Sequence, residues 1–244
     1  MNRIIATLSC SLLFVASAFA QDMSAEKILQ KVEDMLDISH SRVETEMRVY
    51  REQELRTTYR MDLKYQDTVS QLAETLYPPR NKGDKTLHVG DNTWLYLAKI
   101  NKTLRVSEGN SFSNSDFSNM DLMKTNLSED YTPALLGVED YQGEQAYKLE
   151  LKAKTEDVPY ARILYWIRKR DLYPVKRDYY TFSGDLLKSM VFHTKTGVRN
   201  GAPDTLVMTS MLEKDKYTEV RYVKIERGQA FPPETFNKDS FAKR

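Results

Sequence analysis

The sequence predicts a mainly β fold of the α+β kind: one strongly curved antiparallel sheet, covered by an N-terminal helix and a short helical flap. Three observations predict it. Apolar residues recur at helical spacing once, near the start, and then alternate with charged ones at period two for most of the chain. Short polar or glycine-containing connections punctuate that alternation at hairpin spacing. The 244 residues are 41% hydrophobic, enough for one sizeable core, but little of the sequence is helical, so helices cannot cover both faces of a large sheet. An antiparallel sheet of many strands accumulates twist, and it curls or closes on its oily side. The 36 Lys and Arg residues balance 35 Asp and Glu, which argues against a basic nucleic-acid binder and against disorder.

The first element is a targeting segment. Residues 1–20 read MNRIIATLSCSLLFVASAFA, with Arg3 as the positive start, an apolar stretch from Ile4 to Phe19 and an A-x-A cleavage site at Ala18-Phe19-Ala20. Cleavage leaves a single domain over 21–244 that starts at Gln21, with basic and acidic residues equal in number and with Cys10, the one cysteine, removed. A lipid-modified Cys10 is the alternative, but Thr7-Leu8-Ser9 is a poor match to the required motif and the apolar stretch continues well past it. A cysteine-free mature chain excludes disulfides and cysteine-based zinc sites. No later segment is apolar for the length of a membrane span.

Ser24 caps a helix over 24–37, with Glu26 in its first turn and an apolar stripe of Ile28, Leu29, Val32, Met35 and Leu36. Then the period changes. Val43, Thr45, Met47 and Val49 alternate with Arg42, Glu44, Glu46 and Arg48; Tyr59, Met61, Leu63 and Tyr65 alternate with Thr58, Arg60, Asp62 and Lys64. Tyr147, Leu149 and Leu151 repeat the contrast, and Leu104 and Val106 repeat it more weakly. About ten strands are expected, near 41–51, 54–66, 69–77, 85–89, 92–98, 102–107, 145–153, 161–169, 174–182 and 186–194, with further ones near 205–212 and 217–227. Between them, residues 107–130 are polar and small but carry Phe112, Phe117, Met120, Leu122, Met123 and Leu127. That is too long for a turn. Ser115 or Asp116 could cap a short helix on which Phe117 and Met120 share a face, making a flap over the sheet; a static surface loop pinned by the same anchors is equally compatible.

No nucleophile elbow, phosphate-binding loop, dinucleotide fingerprint or H-E-x-x-H zinc motif occurs. His40, His88 and His193 are isolated, and carboxylate pairs such as Asp62 with Asp67 or Glu139 with Asp140 read as solvated strand faces and turns. No enzymatic activity, cofactor or metal is expected. The basic runs Arg168-Lys169-Arg170 and Lys176-Arg177 read as a solvated hairpin end, or as a docking patch for acidic groups. What remains is apolar capacity. Carrying a sixteen-carbon acyl chain through water exposes surface worth on the order of 12 kcal/mol, at about 0.8 kcal/mol per CH₂. A concave sheet lined by Met, Tyr, Leu and Val under a movable cover offers comparable burial, whereas periodicity alone favours a sealed core, because most oily strand faces are core.

Five strings narrow the choice: LHVGDNTWLYLAKINKTLRVS (87–107), SNSDFSNMDL (113–122), EDYTPALLGVEDYQGEQAYKLEL (129–151), WIRKRDLYPVKRDYY (166–180) and FPPETF (231–236). They resemble, in order and over nearly the whole mature chain, the outer-membrane lipoprotein-sorting protein family, LolA-like. The matching positions include the hairpin Gly90, Asp91, Asn92, Trp94 and Tyr96, the segment Ser115 to Asn119 with Asp121 and Leu122, and Trp166 to Lys169. The resemblance implies an incomplete barrel whose apolar concavity is covered by helices. It also implies a periplasmic carrier, in a Gram-negative-type envelope, that moves lipoprotein acyl chains or another lipid between membranes.

Implied partners are the lipid cargo, an inner-membrane transporter and an outer-membrane acceptor, with transient membrane contact and no nucleic acid. Candidate lining residues are Met47, Tyr59, Met61, Leu63 and Tyr65 from the first alternating pair, with Tyr147, Leu149 and Leu151 from the later strand. Trp94, Tyr96 and Leu104 from the middle hairpins and Phe117 and Met120 from the flap complete the set. The competing readings are an exported accessory subunit that docks on an envelope machine without holding lipid and, more weakly, a secreted hydrolase.

Overall fold

The structure, a computed structural model, describes residues 23–123, 126–194 and 202–242. The expected targeting segment, and with it Cys10, lies outside the described residues. Helix α1 (Ala25–Leu36) starts where Ser24 accepts a hydrogen bond from the Lys27 backbone N–H at 3.3 Å, and it buries Ala25, Ile28, Leu29 and Val32. The apolar stripe thus lies down on the sheet, as its spacing requires.

The chain then runs through β1 (Ser41–Arg51), β2 (Glu54–Tyr65), β3 (Ser70–Tyr77), β4 (Lys85–Val89), β5 (Asn92–Leu97) and β6 (Lys102–Val106). After the connecting segment and helix α2 (Asn119–Met123) come β7 (Tyr131–Tyr141), β8 (Glu144–Ala153), β9 (Arg162–Arg168), β10 (Pro174–Tyr180), β11 (Leu186–His193), β12 (Thr205–Ser210) and β13 (Lys216–Arg227). Among the described residues, the thirteen strands form one curved, unclosed antiparallel sheet in the order β6-β5-β4-β3-β2-β1-β13-β12-β11-β10-β9-β8-β7. It is two meanders stitched together at the middle by β1 against β13, with Val43 opposite Ile225 and Met47 opposite Val220. Shifts of register between Glu44 and Thr45, between Val49 and Tyr50 and between Leu135 and Gly137 add local twist and bend.

The consequence for function lies in the edges. β6 and β7 follow one another in the chain yet form opposite edges of the sheet, so the segment joining them has to cross the open side. Its apolar residues turn inward: Phe112, Phe117, Met120, Leu122, Met123 and Leu127 are all buried in one cluster with α1 and the inner faces of both meanders.

Two details differ from the sequence expectation. Strand β7, the pairing partner of β8, lies outside the expected strands, because YTPALLGVEDY contains Pro133 and Gly137, which weaken the strand signal. An edge strand tolerates both, since a proline there need donate no ladder bond on its open side. The cap of α2 is neither Ser115 nor Asp116. Ser118 Oγ accepts from the Asp121 backbone N–H at 3.3 Å, while the Asp121 carboxylate accepts from the Ser118 N–H at 2.7 Å, a reciprocal pair.

Candidate functional site

The inner face of the sheet is the candidate site. Met47, Tyr59, Met61, Leu63, Tyr65, Tyr147, Leu149 and Leu151 lie there in one buried cluster, and Phe117 and Met120 of the flap pack against them. Because the sheet has curved, strands far apart in sequence complete the wall: Tyr165 of β9, Tyr179 of β10, Met190 and Phe192 of β11, Leu206 and Met208 of β12 and Val220 of β13. Those residues were legible as alternating strands, but their meeting with β1 and β2 depends on the long-range pairing of β1 with β13.

Three candidates lie elsewhere. Trp94 sits opposite Leu87 in the ladder and, with Tyr96, packs on the outer side against Leu72, Leu87 and Phe241. The C-terminal segment covers that side, where Lys85 Nζ donates to the Phe241 carbonyl at 3.0 Å. Leu104 is 37% exposed on the edge strand β6. β5 carries apolar side chains on both faces, so alternation identifies two sets of residues without saying which set points inward.

The interior is roofed by α1 and the flap, and among the described residues the space left beneath them is small. The cleft left between α1, α2 and the sheet has a volume of about 60 Å³, with Leu36, Ile38, Tyr65, Leu122, Met190 and Tyr222 among its walls. Pockets that enclose small-molecule ligands run to roughly 300–1,000 Å³. An acyl chain therefore enters only if the cover moves.

Polar contacts at the rim hold that cover. On one side Asp116 accepts from Arg51 Nη1 at 2.9 Å and from the Thr218 hydroxyl at 2.6 Å. A short distance on, Asp121 pairs with Lys188 Nζ at 2.6 Å and accepts from the Tyr160 hydroxyl at 3.1 Å, with Lys188 also donating to the Asp116 carbonyl at 3.0 Å. The third contact ties flap to helix: Glu33 of α1 accepts from the Ser128 N–H and hydroxyl, each at 2.8 Å. Burial holds the Glu33 carboxyl above its ordinary value, against the lowering pull of the Ser128 hydrogen bonds and of Arg177. The tyrosines of the interior are shifted the same way. Burial raises Tyr65, Tyr160 and Tyr179 well above their usual range and pushes Tyr222 up to about 12.

Arg177 is the functional candidate that sequence reasoning passed over. In the sequence it belongs with Lys176 to a basic run, but adjacent residues on a strand point to opposite faces. Lys176 lies over the outer Trp166 ring at 4.6 Å, while Arg177 points inward over the Tyr165 ring at 4.2 Å. Alternation along β10, applied to a charged pair, was the signal that could have found it.

The comparisons agree with this fold. A family model described as "Uncharacterized protein" matches residues 67–243. No curated protein matches the sequence. Among solved structures, a LolA superfamily protein from Nitrosomonas europaea superposes with a TM-score of 0.80 at 22% identity, over 89% of this chain and 99% of that one. A domain from Vibrio parahaemolyticus, described as belonging to an outer membrane lipoprotein-sorting protein, gives 0.77 at 23% identity over 90% and 100%. A DUF1329 family protein from Desulfovibrio piger gives 0.75 at 21% over 88% and 98%. The chain belongs to the family of uncharacterized proteins whose model it matches, and its fold is that of the LolA superfamily.

Proposed function

We propose that the chain is an exported, periplasmic carrier that buries the acyl chains of a lipoprotein or another lipid against the inner face of its sheet and hands them from one membrane to another. The observation that carries this reading is the construction of the interior. A wall of Met, Leu and Tyr side chains is covered by two separate elements, α1 and the flap, whose rim is tied by hydrogen bonds and ion pairs rather than by continuous sheet. Opening exchanges cover-to-wall contacts for lipid-to-wall contacts of the same apolar kind, so the net affinity stays modest and release is possible. The signal-like residues 1–20 and the outer-membrane sorting description of the Vibrio parahaemolyticus neighbour support the periplasmic assignment, and a single domain over 21–244 is part of the same proposal. No helix among the described residues is long and apolar enough to cross a membrane. The carrier needs no catalytic residue; its transporter and acceptor partners follow from the proposed route rather than from a recognised surface.

A second reading has its own support in the small size of the cleft beneath the cover, about 60 Å³. In that reading the chain is an accessory subunit that docks on an envelope machine and holds no lipid. One experiment separates them. The mature protein is purified from its native envelope fraction, its bound lipids are identified by mass spectrometry, and uptake from labelled vesicles is followed. Stoichiometric lipid together with uptake is the expected result; neither lipid nor uptake would leave the accessory-subunit reading standing.

A further inference from the structure

Arg177 is a cation inside an apolar wall. It lies between its ladder neighbours Tyr165 and Met190, and its guanidinium carbon sits 4.2 Å from the Tyr165 ring centre and 5.2 Å from that of Phe192. Nη2 donates to the Tyr165 hydroxyl at 2.7 Å. Nε is buried with no hydrogen-bond partner. Arg51 and Lys188, the cations that hold the flap, are each committed to a carboxylate, Asp116 and Asp121 respectively. Arg177 makes no ion pair with a carboxylate among the described residues: it also hydrogen-bonds the Tyr179 hydroxyl, Glu33 attracts it across the interior but is hydrogen-bonded to Ser128, and Asp121 shares its cleft but is engaged by Lys188 and Tyr160.

A buried charge without a counterion is costly, and aromatic faces compensate only part of the lost hydration. The guanidinium presents a planar fork of donors that fits the two oxygens of a carboxylate or phosphate. Beside it, the Tyr65 hydroxyl is spent on the Leu122 carbonyl of the flap at 3.4 Å, a weak bond that withdrawal of the flap would release.

We infer that the cargo carries an anionic oxygen head on an apolar tail, and that Arg177, with its open Nε edge, receives that head inside the sheet while Tyr65 turns to it from the departing flap. The inference rests on the carrier reading, because the cleft admits such a molecule only once Leu36, Ile38 and Leu122 have moved aside. The head is a carboxylate or a phosphate monoester; both present the same oxyanion to the same fork.

The test compares probes with one tail and different heads, oleate, oleoyl lysophosphatidate and the neutral oleyl alcohol, binding to the purified mature chain at mildly alkaline pH. Oleate or the lysophosphatidate should bind at least about tenfold more tightly than the alcohol, the scale of a charge-assisted hydrogen bond. Whichever of the two is tighter identifies the head. Arg177→Gln should abolish the preference, read as the ratio of charged to neutral affinity in the same variant, and Arg177→Lys should restore part of it. If Arg177→Gln does not fold, the wild-type comparison still tests the anionic head, and Arg177→Lys, which keeps the charge and loses the planar fork, tests the residue through a reduced preference. Equal affinity for charged and neutral probes, or a preference that survives Arg177→Gln, overturns the role of Arg177 and leaves the carrier intact. Binding of none of the three overturns the carrier reading itself.

Discussion

Asp121 and Lys188 show what one buried pair does here. Their side chains are 2% and 9% exposed, so neither charge has water to fall back on. Removing one partner strands the other, and Asp121→Ala should lower stability by about 3–5 kcal/mol in denaturant unfolding. Replacing both, Asp121→Leu with Lys188→Met, should recover most of that loss; a double variant as unstable as the single one would show that Tyr160 and Ser118, not Lys188, are what Asp121 serves. Glu33 makes a pH prediction. Its folded value is raised by burial above the ordinary 4.5, so the folded state holds this proton more tightly than the unfolded one. Its stabilising contribution is complete below about pH 4.5 and is lost as pH rises through the raised folded value. Melting temperatures taken from pH 4 to 7 should therefore show Glu33→Gln gaining on the wild type as pH rises, and parallel curves would refute it. At this scale alternation identified Met61 and Leu149 as inward-facing but could not do the same for Trp94, since Trp94 and Leu95 are both large and apolar and either could face the core.

Between residues and molecule stand α1 and the flap. The spacing of Ile28, Leu29 and Val32 was enough to place α1 on the sheet, because an amphipathic helix of this length has one surface to bury. The flap was legible as an anomaly, a polar segment with aromatic and methionine anchors, and its latches were not, because Arg51, Lys188 and Thr218 reach it from distant strands. Asp116→Asn keeps the shape of the side chain and removes the charge facing Arg51. In the carrier reading it should speed lipid uptake from vesicles several-fold while lowering the melting temperature only modestly. A lower melting temperature with unchanged uptake would place the moving part of the cover elsewhere, in α1.

Across the whole molecule, the interior is lined with phenols. Tyr65, Tyr131, Tyr160, Tyr165, Tyr173, Tyr179 and Tyr222 are all raised above the ordinary value of 10.0, in each case chiefly by burial. Unfolded tyrosines ionise near that value and these do not, so above about pH 10 the unfolded state releases protons first and stability falls. Tyrosinate absorbance should then appear together with loss of the folded circular-dichroism signal; tyrosinate forming gradually in the folded protein would mean that the interior is open to water. A sheet with its two edges joined through its own concavity is the reason these rings are dry.

The order of elements apart from β7, the hairpin spacing and the burial of α1 were determined by the sequence itself, because each depends on periodicity within a few residues or turns. Which face of β5 turns outward, why Pro133 and Gly137 are tolerated in β7, and where Arg177 points were decided only by the tertiary structure. Those outcomes depend on β1 pairing with β13 and on the edge-to-edge crossing of the flap, contacts made across most of the chain's length. Local patterning limits each strand to two faces; only the closing of the core over long range chooses between them.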